Sequence, residues 1–493
     1  MTIMDLFSPE ILIPWILSMF LGVFVGGIPG LTATMAVALI APISYYMNPL
    51  AGFAMVLGVS FTSIFAGDIP ATLLKMPGTP SSGAAILDGY ELAKQGKGGL
   101  ALTIDLICSA LGGLVGVLAL ILLAPFLANF ALKFTHYEYF WLGIFGLSIA
   151  AILSKGNTIR GLISACLGLF ISTIGMDATT GYPRFTFGSI ELLGGIEFIP
   201  AMIGLFGFSE VLNIVSSKSE LKHSGVKGKF KLPFKEALTI IWKNKWTFIK
   251  SSVIGTFIGA LPGAGADIAA WVSYGVAKNS SKEPEKFGTG SMEGVIAPTS
   301  ANNAALGGTW IPALVFGIPG DSITAIVLGI MLMYNLQPGP LVFQNNPEII
   351  KALFSIAIIS QLFLIIVGYI GIKLFGIVLK LPQNIIAPIV TVFSFVGAYA
   401  IRNSVFDIVV MIIFGLIGYL LNKINVPTPP MILGIILGPM VENNLRIGLI
   451  KSNGSFLPFL ARPISAILVI IIVVLYSAPY IFKLFSNSKK SVN

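Results

Sequence analysis

Charged residues are scarce in this chain. Asp, Glu, Lys and Arg make up 10% of the 493 residues, hydrophobic residues make up 55%, and the mean hydropathy is +0.91. A soluble domain carries about 25% charged residues, so the composition excludes an ordinary soluble fold. Apolar runs of about 18 residues recur and are continuous rather than alternating, which predicts transmembrane helices and argues against a β-barrel.

Cysteine and histidine are nearly absent, with two residues of each. Cys108 and Cys166 lie inside apolar runs, so we expect buried thiols and no disulfide framework. His136 and His223 are too isolated for a zinc site or a catalytic triad. No nucleotide-binding Walker motif occurs. The sequence therefore predicts no enzymatic activity and no cofactor, with Na⁺ as the one bound ion to consider.

Lysine is concentrated in one segment. Residues 1–74 contain no Lys or Arg, whereas residues 218–250 contain nine Lys. The positive-inside rule makes this segment a cytoplasmic connector and places the N-terminus outside. The segment lacks a folded basic motif, so we expect no nucleic-acid partner.

The chain repeats a pattern of glycine and proline. Residues 22–36 and 255–269 share seven Gly, Phe, Pro and Ala positions without a gap, and residues 69–78 and 311–320 share Ile-Pro-Ala followed by Pro-Gly. An internal duplication follows, with an odd number of crossings in each half. The predicted fold is an all-α polytopic membrane protein of about 12 transmembrane helices plus re-entrant hairpins, arranged as two inverted repeats. The predicted parts are a first membrane repeat (1–217), a basic linker (218–250), a second repeat (251–450), and a last transmembrane helix with the C-terminal tail (451–493).

Each repeated block interrupts an apolar run with a Pro-Gly pair. The four helix breaks are Pro29-Gly30, Pro77-Gly78, Pro262-Gly263 and Pro319-Gly320. Proline lacks an N–H and glycine tolerates unusual dihedral angles, so each pair ends a helix and frees backbone groups. Such groups need partners in a membrane, which places the breaks inside protein or beside a watery cavity.

Short polar residues near the breaks are the candidate binding groups. A helix N-terminus offers free N–H groups and a partial positive charge, which suit a carboxylate. The candidate substrate-binding residues are Thr32, Thr34, Lys75, Thr79, Ser81, Ser82, Asn302, Asn303, Ser322 and Thr324. Asp267 and Asp321 are the candidate Na⁺ ligands, because carboxylates and freed carbonyls suit a cation.

Several of these residues also have a purely structural interpretation. The Pro-Gly pairs could only kink the helices, with the hydroxyls as caps. Lys75 could meet a substrate carboxylate or pair with Asp68, and the Asn302-Asn303 pair could bind ligand or cap a helix. The G-x-x-x-G spacings indicate close helix packing. The charged residues of D-G-Y-E-L-A-K-Q-G-K, residues 88–97, indicate a solvated helix end.

Motifs along nearly the whole chain resemble one family. They are G-G-I-P-G-L-T-A-T-M-A-V-A-L (26–39), P-G-T-P (77–80), L-D-G-Y-E-L-A-K-Q-G-K-G-G-L-A-L (87–102), T-T-G-Y-P-R-F-T-F (179–187), L-P-G-A-G-A-D-I-A (261–269), A-N-N-A-A (301–305), G-I-P-G (317–320), L-Q-P-G-P (336–340) and V-E-N-N-L-R (441–446). In combination they resemble the TctA family, the large membrane subunit of the tripartite tricarboxylate transporters.

The resemblance implies a secondary transporter that imports organic di- or tricarboxylates across a prokaryotic cytoplasmic (inner) membrane. It implies two protein partners, a small four-helix membrane subunit and an extracytoplasmic solute-binding protein, and an Na⁺ or H⁺ gradient in place of ATP. The chain departs from the family pattern at Asp68, Lys75, Thr299 and Asp321. Citrate specificity is therefore not carried over. A passive anion channel built from broken helices is the alternative.

Overall fold

The described part of the chain is almost entirely helical. The structure is a computed structural model that describes residues 3–29, 31–153, 158–177, 179–216, 231–378 and 383–490. Within these ranges the one sheet is an antiparallel pair of strands, β1 (Gly175–Met176) and β2 (Pro183–Arg184). The prediction of an all-α polytopic membrane protein is confirmed.

The helices follow the predicted apolar runs. Those before residue 217 are α1 Pro9–Gly26, α2 Ala33–Tyr45, α3 Pro49–Leu74, α4 Ile86–Lys94, α5 Gly98–Ala131, α6 His136–Leu153, α7 Thr158–Ser172, α8 Phe198–Met202 and α9 Ser209–Ser216. Those after residue 230 are α10 Phe234–Lys243, α11 Lys245–Gly259, α12 Gly265–Ser280, α13 Met292–Phe316, α14 Ser322–Met333, α15 Val342–Asn345, α16 Pro347–Val378, α17 Gln383–Arg402, α18 Val405–Lys423, α19 Pro429–Lys451, α20 Leu457–Ala461 and α21 Pro463–Lys490. Short 3-10 helices span Ile3–Phe7, Pro80–Gly83, Glu191–Gly194 and Pro284–Lys286, and a π-helical stretch, Ile203–Phe208, joins α8 to α9.

Helix length and hydropathy together separate the spanning candidates from the other helices. Among the described residues, seven helices are long and apolar enough to cross a membrane. They are α1, α3, α5, α6, α8–α9, α16 and α18. The helices that follow the first and fourth breaks, α2 and α14, have 13 and 12 residues. At 1.5 Å per residue neither reaches across a hydrocarbon layer of about 30 Å, as expected for re-entrant segments.

Backbone contacts divide the chain into two compact units. The first unit comprises residues 1–129 and 197–423, and the second comprises residues 130–196 and 424–493. Each of the two predicted repeats thus contributes to both units, and all four Pro-Gly breaks lie in the first. The boundaries and the inverted orientation of the repeats stay predictions. Helix α10 and the start of α11 lie within the predicted basic linker, so the part of that segment from Phe234 onward is mostly helical.

Close glycine contacts hold together the helices of the first unit. A Cβ added to Gly22 of α1 would lie 2.7 Å from the carbonyl oxygen of Val59 on α3. A Cβ added to Gly255 of α11 would lie 2.3 Å from the carbonyl oxygen of Ala301 on α13. Only glycine allows this approach of two backbones, so the predicted packing role of the G-x-x-x-G spacings is confirmed.

The sequence prediction of a solvated helix end is wrong for Asp88 of α4. Its side chain is fully buried, because segment 288–291 turns its N–H groups toward the carboxylate. Glu91 and Lys94 fit the prediction: their charged groups pair at 2.8 Å on a partly exposed surface. Asp88 therefore anchors α4 to a segment about 200 residues away in sequence.

A charge network joins two family motifs in the second unit. Arg184 of β2 binds Glu442 of α19 with two parallel hydrogen bonds of 2.5 and 3.1 Å. Arg446 contacts the carboxylates of Asp177 and Glu442, each at 2.8 Å. The N–H of Thr180 also donates to Asp177, and these contacts lower the pKa of that carboxyl to about 2. The network fixes the β1–β2 hairpin on α19, which gives the motifs T-T-G-Y-P-R and V-E-N-N-L-R a structural role.

Candidate functional site

The first two breaks meet at a glycine contact. The N–H of Gly78 donates a hydrogen bond of 3.0 Å to the carbonyl oxygen of Gly67 in α3. A Cβ added to Gly78 would lie 2.2 Å from the carbonyl oxygen of Gly26, the last residue of α1, and 2.6 Å from Gly67 Cα. The segment after α3 therefore folds back against the end of α1 where only glycine fits.

The third and fourth breaks repeat this arrangement. A Cβ added to Gly320 would lie 2.7 Å from the carbonyl oxygen of Gly259, the last residue of α11, and 2.6 Å from Thr309 Cα in α13. The N–H of Gly263 donates to the carbonyl oxygen of Gly320 at 2.8 Å. The match between the two repeats thus extends from sequence to backbone contacts.

Buried polar side chains follow the second break. The Thr79 hydroxyl lies 2.9 Å from the Ser81 hydroxyl and 2.8 Å from the Ser82 hydroxyl, and all three side chains are buried. The cluster is pressed against Gly67, where an added Cβ would lie 2.4 Å from Thr79 Oγ1. The structure brings these three predicted residues into one hydroxyl cluster.

The corresponding place after the fourth break holds a carboxylate. Asp321 caps α14: Thr324 N–H donates to Asp321 Oδ1 at 2.8 Å, and Asp321 N–H donates to the Thr324 hydroxyl at 3.0 Å. Ser322, the first residue of α14, is half-buried. A Cβ added to Gly265, at the start of α12, would lie 3.0 Å from Asp321 Cβ. The start of α12 therefore lies beside the Asp321 carboxylate.

The first and third breaks present fewer polar groups. Thr32 caps α2 by accepting a hydrogen bond of 3.1 Å from Met35 N–H, and Thr34 is half-buried in the first turn. Asp267 is half-buried in the first turn of α12. Gly30 lies outside the described residues. Within the described ranges, Asp267 and Asp321 belong to no cluster of three or more His, Cys, Asp or Glu side chains.

Lys75 ends α3 in a left-handed conformation, with φ 60° and ψ 29°. Gly317 ends α13 in the same conformation at the corresponding place of the second repeat. The alternative pairing of Lys75 with Asp68 is wrong: Asp68 accepts a hydrogen bond of 3.0 Å from Asn302, and Lys75 Nζ lies 5.7 Å from the ring centroid of Tyr90. The lysine side chain is exposed, so its charge lies at the surface of the structure, two residues before the second break.

Asn302 and Asn303 lie in the interior of α13 and are fully buried. The capping alternative is therefore wrong for this pair. Asn303 Nδ2 donates to Asn302 Oδ1 at 3.2 Å, and Asn302 donates to Asp68 across the two repeats. The amides link α13 to α3 beside the hydroxyl cluster.

Sequence reasoning missed two residues of this region. Asp105 of α5 lies next to Asp68, and the ring of Trp271 on α12 packs against Gly83 of the 3-10 helix. Asp105 is a lone charge in a long apolar run, and the cost of intramembrane charge could have drawn attention to it. The Trp271 contact has no local signal, since it joins opposite repeats.

Broken helices in two related blocks of sequence, inside a polytopic helical fold, are typical of membrane transport proteins. The sequence model of the tripartite tricarboxylate transporter TctA family matches residues 12–433, and the chain belongs to that family. The predicted resemblance is confirmed. The protein is a multi-pass membrane component of a tripartite tricarboxylate transporter, and the family is not an enzyme family. Membership implies further subunits and a binding protein.

Two proteins of Agrobacterium vitis are similar to the chain. An uncharacterized 52.8 kDa protein in the TAR-I ttuC' 3' region is 35% identical over 453 residues, which cover 90% of this chain and 88% of that protein. An uncharacterized protein in the TAR-II ttuC' 3' region is 37% identical over 212 residues, which cover 43% of this chain and 88% of that protein. No solved structure matches the chain.

Proposed function

We propose that the protein is the large membrane subunit of a binding-protein-dependent system that imports an organic di- or tricarboxylate. A Na⁺ or H⁺ gradient drives import across the cytoplasmic (inner) membrane of a prokaryote. The observation that supports this most is the matched pair of glycine contacts, Gly78 on the Gly26 carbonyl and Gly320 on the Gly259 carbonyl. Two equivalent breaks in one compact unit give a substrate two polar surfaces to bind between.

In this proposal the substrate carboxylates meet donors at the breaks. The hydroxyl cluster of Thr79, Ser81 and Ser82 supplies O–H groups, and the first turn of α2 supplies N–H groups with Thr32 and Thr34. These groups fit an anion because a helix N-terminus carries a partial positive charge. Lys75, two residues before the second break, neutralises one carboxylate of the substrate.

The cation part of the proposal uses the second repeat. Asp267 lies in the first turn of α12, and Asp321 caps the start of α14. Oxygen ligands of this kind suit Na⁺, so we propose these two carboxylates as Na⁺ ligands.

Uptake by reconstituted vesicles tests the function. The full chain, with its membrane partner subunit and its binding protein, should accumulate a radiolabelled di- or tricarboxylate only when a Na⁺ or pH gradient is imposed. Saturable flux would distinguish this transporter from a passive anion channel. Accumulation that ignores both gradients would contradict ion coupling, and non-saturating flux would favour the channel.

We predict that single replacement of Ser81, Ser82, Asp321 or Ser322 by Ala impairs uptake more than folding. A hydrogen bond to a charged group contributes about 1.5–3 kcal/mol, so loss of a serine hydroxyl should raise the apparent KM roughly 10- to 100-fold. Loss of the Asp321 carboxylate should instead weaken the dependence of uptake on Na⁺. Initial uptake rates and thermal unfolding are measured side by side. Ser355→Ala is the control, since that hydroxyl only bonds the Lys351 carbonyl at 3.0 Å. Wild-type uptake by all four variants would refute the site.

Lys75 permits a test that separates charge from backbone strain. Left-handed backbone costs an L-residue roughly 1–2 kcal/mol, so Lys75→Gly relieves strain while the added chain entropy offsets part of that gain. We therefore expect nearly unchanged stability and an apparent KM raised about tenfold, the effect of losing one modest charge–charge contact. Lys75→Arg keeps the charge and should transport normally. An unaltered KM in Lys75→Gly would remove Lys75 from the binding site.

A further inference from the structure

Two acidic side chains face each other inside the first unit. Asp68 on α3 is 0% exposed and Asp105 on α5 is 1% exposed, and their carboxyl groups interact directly. Each lies in a helix apolar enough to span the membrane. Acidic residues at such positions are costly and usually functional, and Asp105 has no part in the proposed substrate or Na⁺ site.

Each carboxyl has one oxygen with a donor and one without. Asn302 donates to Asp68 Oδ2 at 3.0 Å, and the Ser109 hydroxyl donates to Asp105 Oδ1 at 3.1 Å. Asp68 Oδ1 and Asp105 Oδ2 are both buried without a hydrogen-bond partner. Two buried carboxylates in contact cannot both stay ionised, because desolvation and mutual repulsion both oppose the second charge. One proton held by the pair removes the repulsion and gives the pair the hydrogen-bond donor that its carboxyl oxygens lack.

Within the described residues no Lys or Arg forms an ion pair with either carboxyl. The groups that face the pair are the thiol of Cys108 on α5, the amide of Asn302 on α13 and the hydroxyls of Ser82 and Ser109. Other charged groups on the packed helices are exposed, as Glu10, Lys75, Lys351 and Lys373 are, or are hydrogen-bonded elsewhere, as Asp88 and Glu293 are. Since no cationic side chain of the described residues neutralises the pair, a bound proton is the positive charge that can do so.

The carboxyl pair is connected to the second break. Gly67, which precedes Asp68, accepts the N–H of Gly78 and packs against the hydroxyls of Thr79 and Ser82. The Ser82 hydroxyl also interacts with the Asp68 carboxyl. A substrate that draws the Ser82 hydroxyl toward itself weakens its interaction with the Asp68 carboxyl, and this changes how strongly the pair holds a proton.

We propose that Asp68 and Asp105 share one proton and exchange it with water during the transport cycle, so that H⁺ is a coupling ion. On uptake an O–H bond forms on one carboxyl oxygen with a proton from water on one side. On release that bond breaks and the proton returns to water on the other side. This inference rests on the proposed function, and it is independent of any Na⁺ at Asp267 and Asp321.

Infrared spectroscopy of the purified full chain tests the shared proton without any transport. At neutral pH the wild type should show the C=O stretching band of a protonated carboxylic acid. The band should be lost in the double variant Asp68→Asn/Asp105→Asn. In each single variant the band should shift, because burial still opposes ionisation of the remaining carboxyl while its like-charged neighbour is gone. Glu91→Gln, at a partly exposed ion pair, should keep the band. A wild-type spectrum without a protonated carboxyl at neutral pH overturns the proposal.

Uptake in vesicles tests the coupling, with radiolabelled succinate, malate and citrate as probes. Stimulation by a pH gradient, acidic on the side of uptake, should be lost in Asp105→Asn, while exchange of internal for external substrate continues. Wild-type stimulation in that variant overturns the coupling role, whatever the infrared result. If the wild type transports none of the probes, the proposed function loses support, and the infrared band still decides whether the proton is shared.

Discussion

Asp88→Ala is expected to lower the melting temperature of the protein more than any other single carboxyl replacement. The Asp88 carboxylate accepts hydrogen bonds of 2.9 Å from the Tyr274 hydroxyl, 2.9 Å from the N–H groups of Gly288 and Gly290, and 2.7 Å from the N–H of Ser291. Alanine leaves these donors without an acceptor. Each orphaned buried donor costs about 1–3 kcal/mol, and removal of one partner of a buried charge network costs roughly 3–5 kcal/mol.

The backbone of segment 288–291 is shaped to bind the Asp88 carboxylate, so other side chains cannot replace it. Gly288 and Gly290 adopt positive φ angles of 86° and 109°, which turn successive N–H groups toward one point. Such a concave arrangement of N–H groups binds anions. Asp88→Asn keeps one acceptor oxygen and should lie between alanine and wild type. Glu91→Gln removes only a partly exposed ion pair with Lys94 and should stay within about 0.5 kcal/mol of wild type.

Thermal unfolding in detergent, followed by tryptophan fluorescence, gives the ranking of these variants. Asp88→Ala should have the lowest melting temperature and Asp88→Asn an intermediate one. Glu91→Gln should melt together with the wild type. An Asp88→Ala protein that melts with the wild type would show that the carboxylate does not hold segment 288–291. Uptake by Asp88→Ala should fall in proportion to the amount of folded protein, because the substitution affects stability rather than substrate binding.

The sequence predicted those features that depend only on residues adjacent in the chain. Proline and glycine end helices by their own backbone chemistry, so the breaks and the two repeats could be found without a structure. The backbone contacts of Gly78 and Gly320 were not predicted, although both glycines were identified as helix breaks. The hydroxyls near the second break were also predictable, because Ser and Thr follow Pro-Gly directly in sequence.

Long-range contacts could not be predicted in the same way. Asp88 lies among Glu91, Lys94 and Lys97, a pattern typical of a solvated helix end, and nothing near it in sequence indicates the N–H groups of segment 288–291. Asn302 follows Pro298 by four residues and was open to interpretation as a cap, yet it faces Asp68 from the interior of α13. The family motifs around Arg184 and Glu442 carried no physical explanation until the structure joined them.

The largest effect on transport is expected from Gly78→Ala and Gly320→Ala. Neither glycine has a positive φ angle, so the expected effect is steric rather than conformational. The alanine Cβ would lie 2.2 Å from the Gly26 carbonyl oxygen in the first variant, and 2.6 Å from Thr309 Cα in the second. In both cases the obstacle is backbone, which cannot turn away as a side chain can.

Overpacking of a core typically costs about 1–3 kcal/mol, and a displaced backbone at the breaks moves the predicted binding groups as well. Gly78 is followed directly by the hydroxyl cluster, and Gly320 precedes the Asp321 cap. We therefore expect loss of uptake from either variant, even where the protein still inserts and unfolds cooperatively. A shift of about 1 Å in a positioning group can reduce a rate roughly 100-fold.

Gly275→Ala is the matched control. Gly275 lies in α12 of the same unit, and a Cβ added to it meets no atom within 4 Å. Alanine in a helix interior is favoured over glycine by about 0.5–1 kcal/mol, so this variant should be slightly more stable and should transport normally. Uptake and thermal unfolding are measured for all three variants in parallel. Wild-type uptake by Gly78→Ala and Gly320→Ala would show that the paired contacts between helix breaks are not needed for transport. Loss of uptake in both, with Gly275→Ala unaffected, would tie transport to the two places where the repeats bring backbone against backbone.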